Sequence, residues 1–192
     1  MDDLNAAQAR DHLELVERIL AESAQRLCAG GEFFVVWGLF SGGATLVGHL
    51  VARGILPFAA LWAVAAALVA CIVFSVLRGR AFGRAVGRAS LVQREFFNVL
   101  WLTIGLAFVV NVAAYHIFTG LASAAIWSFA EAVVLLYIGM HGNRRAVVAG
   151  VVVVASLVVA NFTAAPNAAY VLAAGMILGY TGFGLAELAI KE

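Results

Sequence analysis

Charged residues and cysteine are both scarce in this chain of 192 residues. Charged side chains make up 12% of it, about half of the share that is typical of soluble domains, which excludes a water-soluble fold. The two cysteines, Cys28 and Cys71, cannot form a disulfide framework and match no metal-ligand spacing. We therefore expect neither a disulfide-stapled domain nor a cysteine metal site.

Sequence motifs of catalysis and of nucleotide binding are missing as well. The chain contains no nucleophile elbow, no His-Glu-x-x-His, no paired intramembrane aspartates and no Walker sequence. It also has no glycine loop that could cradle phosphate and no aromatic platform that could stack bases. We therefore predict a protein that is not an enzyme, has no cofactor and does not bind nucleic acid.

Six long apolar runs, separated by short polar joints, fill most of the sequence. Each run is close to the roughly 20 residues that a helix needs to cross a hydrocarbon core about 30 Å thick. We therefore predict an all-α integral membrane protein whose transmembrane domain covers residues 32–192. The predicted spans are 33–51, 57–77, 96–118, 121–140, 146–162 and 168–188.

Arginine is concentrated on one side of these predicted spans. The opposite side receives only Arg53, while the N-terminal segment and the joints after the second and fourth spans hold Arg10, Arg18, Arg26, Arg78, Arg80, Arg84, Arg88, Arg94, Arg144 and Arg145. Because short cytoplasmic loops carry the excess of basic residues, we predict a multi-pass protein of the inner membrane with both termini in the cytoplasm. A soluble partner is then expected at the cytoplasmic face.

The N-terminal segment, residues 1–31, is predicted to hold an amphipathic cytoplasmic helix. Apolar residues recur there at three- and four-residue steps: Leu13, Val16, Leu20, Ala24 and Leu27. This apolar stripe has to be buried against something. The candidates are the headgroup region, the protein's own cytoplasmic end, a second copy in a homo-oligomer, or another protein. Binding flat on anionic headgroups is disfavoured by the acidic residues Asp11, Glu14, Glu17 and Glu22.

A tandem Gly-Arg-Ala-x repeat follows the second span, from residue 79 to residue 90. In a helix, its arginines Arg80, Arg84 and Arg88 form one cationic stripe. A stripe of this kind beside a membrane is attracted to anionic headgroups at about 1 kcal/mol per charge. We predict that these arginines contact membrane lipids.

Glu131 is the one carboxylate near the middle of a span. An ionised side chain there costs several kcal/mol unless it is paired, and no basic residue lies at a similar depth, so we expect the carboxyl to be protonated. Hydrogen-bonding partners at matching depth are Ser41, Thr45, Thr103, Asn111, Tyr180 and Thr181. Two interpretations stay open: a neutral acid that fastens helices together, or a site that handles protons or cations.

Two further patterns lie within the spans. His49 and His116 are both near predicted outer ends, where two histidines could ligate haem or a metal, although interfacial histidines without a ligand are common. Small-residue motifs predict close helix packing in the first and sixth spans. These motifs are Gly38-x-x-x-Gly42 and Gly175-x-x-x-Gly179.

The layout resembles an uncharacterised bacterial family of six-span membrane proteins that are often encoded beside small winged-helix regulators. The residues that carry the resemblance are Leu13-Glu-Leu-Val-Glu-Arg-Ile-Leu20, Leu136-Tyr-Ile-Gly139 and Gly179-Tyr-Thr-Gly-Phe-Gly184. The resemblance implies the six-span architecture, and the neighbouring regulators imply a signalling or accessory role in the cytoplasm. It implies no activity and no site residues.

The function that we predict from the sequence is a structural, accessory or regulatory one, exercised through the cytoplasmic face of a non-enzymatic membrane protein. The alternative is a small oligomeric transporter or channel that uses Glu131 for proton or cation handling.

Overall fold

The structure, a computed structural model, describes residues 30–86, 91–113 and 120–189, and these ranges are helical without a strand. Its helices are α1 (Gly31–Ala52), α2 (Ala60–Val86), α3 (Leu91–Ala113), α4 (Leu121–Met140), α5 (Arg144–Phe162) and α6 (Ala165–Met176), followed by a π-helical segment (Ile177–Thr181) and α7 (Gly182–Leu188). We call α6, the π segment and α7 together the last span.

The described ranges are helical, and six of their helices are long and apolar enough to cross a membrane, as predicted. The bounds differ most around the arginine repeat. α2 continues to Val86, and α3 begins at Leu91, so both are longer at this joint than the apolar runs. Alanine and arginine are strong helix formers, and the first repeats therefore extend α2. The predicted N-terminal helix, in residues 3–29, lies outside the described residues.

Four elements form the packed centre of the bundle. α1 lies against the last span, and α5 lies against both α4 and the last span. The other two helices are peripheral, because α2 packs on α1 while α3 packs on α4. Most large apolar side chains of α2 and α3 are exposed, as is expected for helices that face lipid.

The densest packing lies toward one end, which we call the basic end because it carries Arg78, Arg80, Arg144 and Arg145. The main core cluster joins the first turns of α1 and α3 to the second half of α4, the first half of α5 and the end of the last span. Its buried members are Phe34, Phe96, Ala132, Val134, Leu135, Ile138, Ala146, Ala149, Val153, Tyr180 and Phe183. A smaller cluster, Ala160, Ala168 and Leu172, lies toward the opposite end.

Glycine allows α1 and the last span to approach closely. A Cβ atom added to Gly38 would lie 2.7 Å from the backbone nitrogen of Thr181, and one added to Gly42 would lie 2.9 Å from the carbonyl oxygen of Ala173. Both positions therefore require a residue without a side chain.

The glycines of the last span face a different helix. A Cβ atom at Gly175 would overlap Ser156 of α5, and one at Gly179 would overlap Val153 of the same helix. The two small-residue motifs thus form two separate contacts, one between α1 and the last span and one between the last span and α5.

Candidate functional site

Glu131 lies halfway along α4 and is only 9% exposed. The hydroxyl of Ser41, on α1, lies close to its carboxyl group, and Tyr180 is buried in the same part of the bundle. Among the described residues, the Oε2 atom of Glu131 has no hydrogen-bond partner. One oxygen of this buried carboxyl group is therefore without a partner within the described residues.

Ser128 lies one helical turn before Glu131 and is fully buried. Its Oγ atom also lacks a hydrogen-bond partner within the described part of the chain. A buried polar group without a partner costs about 1–3 kcal/mol, and two of them lie on one face of α4, which makes this region the candidate functional site. Ser128 was not among the residues predicted around Glu131, although its i,i+3 spacing from Glu131 places the two side chains on the same face.

The π-helical segment, Ile177–Thr181, forms the part of the last span that holds Tyr180. Single π turns inside α-helices are found frequently at functional sites. The Tyr180 ring packs on Phe34 with a centroid distance of 5.3 Å, and the Thr181 hydroxyl donates to the carbonyl oxygen of Val35 at 3.4 Å. The segment therefore fixes the last span against α1 beside the Glu131 region.

Thr45 and Asn111, two other polar residues predicted at this depth, have partners of their own. The Thr45 hydroxyl donates to the sulfur of Met176 at 3.6 Å. The Asn111 side-chain amide donates to the carbonyl oxygen of Ala107 at 2.8 Å, and its oxygen accepts a hydrogen bond from Ser123. Among the residues predicted around Glu131, Ser41 and Tyr180 lie near it.

Of the two histidines predicted near outer ends, His49 lies in the described residues. His49 packs edge-on against the Tyr170 ring, with a centroid distance of 5.3 Å. His116 lies outside the described residues. No group of three histidine, cysteine, aspartate or glutamate side chains in the described ranges could hold a metal ion. Haem or metal ligation by this pair stays a prediction.

At the basic end, α1 and α2 are joined by polar contacts. Glu32 forms an ion pair with Arg78, and the Trp37 indole N–H donates to the Ser75 hydroxyl at 3.0 Å. Arg80 is exposed, as headgroup contact requires. The side chains of Arg84 and Arg88 lie outside the described residues.

A second polar region at the basic end is an open cleft of about 330 Å³ between the start of α5 and the end of the last span. We call it the basic-end cleft, and its lining residues are Gly142, Asn143, Arg144, Arg145 and Glu187. Gly142 has a φ angle of 93°, a conformation that favours glycine, and it turns the chain into α5.

Asn143 organises this cleft. Its side-chain oxygen accepts hydrogen bonds from the backbone nitrogens of Arg145 and Ala146, at 3.1 and 3.3 Å, and so caps α5. Its side-chain nitrogen donates to Oε1 of Glu187 at 3.0 Å. Asn143 and Glu187 were missed in the sequence analysis, although an asparagine directly before a helix is a recognisable N-cap signal.

Comparisons of this chain with protein-family models, with curated proteins and with solved structures found no match. Its function therefore has to be argued from its own residues.

Proposed function

We propose that this chain is a non-enzymatic, multi-pass protein of the inner membrane with a structural, accessory or regulatory role, and that it meets its partner at the basic end. The supporting observation is the distribution of charge. In the described ranges, every charged side chain except Arg53 belongs to the basic end or to the buried Glu131. Both termini, and the helix predicted in residues 3–29, are then cytoplasmic.

The uneven charge favours this proposal for a physical reason. Within the described residues, the outer end of the bundle carries one charged side chain, Arg53, and so offers a soluble protein little to recognise beyond short joints. The basic end has the Glu32–Arg78 ion pair, exposed arginines and an open cleft, and polar groups of this kind give an interface its register and specificity. A partner protein or a second copy of this chain would dock there together with the N-terminal helix.

The test is affinity purification from native membranes, followed by identification of co-purifying proteins and measurement of particle mass. Leu20→Glu with Leu27→Glu places charge on the apolar stripe, so we expect the partner to be lost or the mass to fall. Gln8→Glu with Gln25→Glu adds the same charge to the polar side and serves as the matched control. Unchanged partners and mass in the first variant would rule out docking through this stripe.

A second function is favoured by a separate observation, the unsatisfied atoms of Glu131 and Ser128. A carboxyl group enclosed in a membrane bundle is expected to hold its proton, because the charged form loses its hydration. When a cation or a water file reaches it, the same group can release and regain that proton. We propose on this ground a small transporter or channel as the alternative role.

Purified protein in proteoliposomes with an internal pH dye tests this alternative. We expect flux to depend on pH in the wild type and to disappear in Glu131→Gln, since the amide keeps the shape but cannot exchange a proton. Ser156→Ala, which alters a buried hydroxyl that bonds within α5, is the control and should leave flux intact. Wild-type vesicles that are silent at every pH would eliminate the transport role.

A further inference from the structure

The basic-end cleft contains charges of both signs that do not pair with each other. Glu187 is 6% exposed, and its Oε1 atom accepts a hydrogen bond from the neutral Asn143 side chain. The Arg145 guanidinium donates instead to the carbonyl oxygen of Ala186, at 3.0 Å. Within the described residues, the one ion pair of the protein is elsewhere, between Glu32 and Arg78.

Within the described residues, this arrangement leaves two electrostatic requirements unmet. A carboxylate that is largely removed from water needs a cation or several hydrogen-bond donors to offset its desolvation. A guanidinium carries five N–H donors. One donor of Arg145 is used by the carbonyl oxygen of Ala186, so other donors remain for an anion. Arg144 lines the same cleft with an exposed side chain. One ligand that carries both charges would meet both requirements.

We infer that the basic-end cleft binds the zwitterionic headgroup of a membrane phospholipid that carries a primary ammonium group, the chemistry of phosphatidylethanolamine. The phosphate accepts hydrogen bonds from Arg144 and Arg145, which suit its geometry. The ammonium donates to Glu187. The cleft volume of about 330 Å³ falls at the small end of the range for ligand sites, about 300–1,000 Å³.

The position of the cleft favours a lipid over a soluble molecule. Arg144 is the first residue of a spanning helix, and Glu187 lies in the final turn of the last span, so the cleft is at the level where headgroups lie. Beside it, the exposed apolar side chains of Val147, Val148 and Leu185 continue into the membrane region. These side chains offer a surface for the acyl chains of the same lipid.

The discriminating experiment compares two lipids with identical acyl chains, phosphatidylethanolamine and phosphatidylcholine, by native mass spectrometry of the purified protein. Choline has the same phosphate but a trimethylated nitrogen without N–H donors. We expect the wild type to prefer the ethanolamine lipid by about tenfold, as one charge-assisted hydrogen bond allows. Equal binding of the two lipids by the wild type would overturn the inference, and this comparison requires no variant to fold.

Variants then assign the preference to residues. Glu187→Gln should abolish the tenfold preference for the ethanolamine lipid. Arg144→Gln, at an exposed side chain, should weaken the binding of both lipids and keep their ratio. Glu32→Gln is the matched control, because that carboxylate is at the same end but is already paired with Arg78. Retention of the ratio in Glu187→Gln, or its loss in Glu32→Gln, would contradict the assignment.

Two further arms address competing occupants. Glycerophosphoethanolamine, which has the headgroup without acyl chains, should fail to displace the lipid at equal concentration, and full displacement would show that the ligand is a soluble compound. Lys191 follows Glu187 by four residues and lies outside the described residues. Lys191→Gln should leave the ratio of ethanolamine to choline lipid binding unchanged. A rise in this ratio would mean that Lys191 pairs with the Glu187 carboxylate and competes with the lipid ammonium.

Discussion

The close crossing of α1 with the last span yields a sharp prediction for the substitution Gly38→Ala. An added Cβ atom at this position would meet the Thr181 side-chain oxygen at 2.6 Å and the Tyr180 Cβ atom at 2.7 Å. Real Cβ contacts are longer than this, and one of the clashing atoms belongs to the backbone of Thr181, at 2.7 Å. The two helices would have to separate, which would also shift the π segment beside Glu131.

The same helix contains a matched control at Gly43, where an added Cβ atom has no neighbour within 4 Å. We expect Gly38→Ala to lower the free energy of unfolding by about 1–3 kcal/mol, the typical cost of overpacking. Gly43→Ala should leave it unchanged or raise it by up to about 1 kcal/mol, since alanine is the better helix former. The two variants change the same atoms in the same helix and differ only in what the methyl group touches.

The difference in free energy of unfolding between the two variants can be measured in mixed micelles. The protein is unfolded by titration with dodecyl sulfate, and tryptophan fluorescence follows the transition. Trp37, which is adjacent to Gly38 on α1 and bonds to Ser75 of α2, places a fluorophore near the perturbation. Equal free energies of unfolding for the two alanine variants would refute the crossing of α1 with the last span. If Gly43→Ala lowered the free energy of unfolding and Gly38→Ala did not, the opposite face of α1 would be the packed one.

Two other predictions concern topology and the basic-end cleft. Single cysteines at Gly120 and Asn167, in the predicted outer joints, should react with an impermeant thiol reagent added to intact cells, whereas one at Gly87 should not; labelling at Gly87 would reverse the orientation. Asn143→Asp should destabilise the protein even though aspartate caps helices as well as asparagine, because it replaces a donor 3.0 Å from Glu187 with a second carboxylate. An unfolding titration at neutral pH measures the loss of stability. An unchanged free energy of unfolding would mean that the contact between Asn143 and Glu187 is not formed.

The sequence sufficed for the span pattern because bilayer thickness fixes the length of an apolar helix, whatever it packs against. It left open whether the repeat after residue 77 is helical, and the structure continues α2 through the first repeats to Val86, because their alanines and arginines suit a helix. It also did not predict the π segment at Ile177–Thr181. The composition of an apolar run does not distinguish α-helical from π-helical hydrogen bonding. That distinction depends on the packing around Gly179 and Tyr180.

Within the candidate site, depth along the sequence predicted neighbours only in part. Ser41 and Tyr180 are near Glu131, but Asn111 at a similar depth bonds to its own helix and to Ser123. Depth specifies how far a side chain lies from the membrane surface, and it does not specify which face of its helix it occupies. That choice depends on which helices pack together, which a single sequence of mostly apolar residues does not determine.

The polar residues of the spans help to decide between the two interpretations of Glu131. Ser75, Thr163 and Ser156 each donate to a carbonyl oxygen three or four residues earlier in the same helix, at 2.7 Å, which is how hydroxyls are usually satisfied inside membrane helices. Ser128 has the same option in α4, yet its Oγ atom is unpaired in the described structure, as is Oε2 of Glu131.

A carboxyl that fastens helices would use its hydrogen-bonding atoms to do so, because each unused one costs about 1–3 kcal/mol where water is absent. The Ser41 hydroxyl of α1 lies close to the same carboxyl group, which fits fastening. The transport proposal rests instead on the two unpaired atoms, Oε2 of Glu131 and Oγ of Ser128. It predicts that Ser128→Ala is tolerated by the fold and reduces flux.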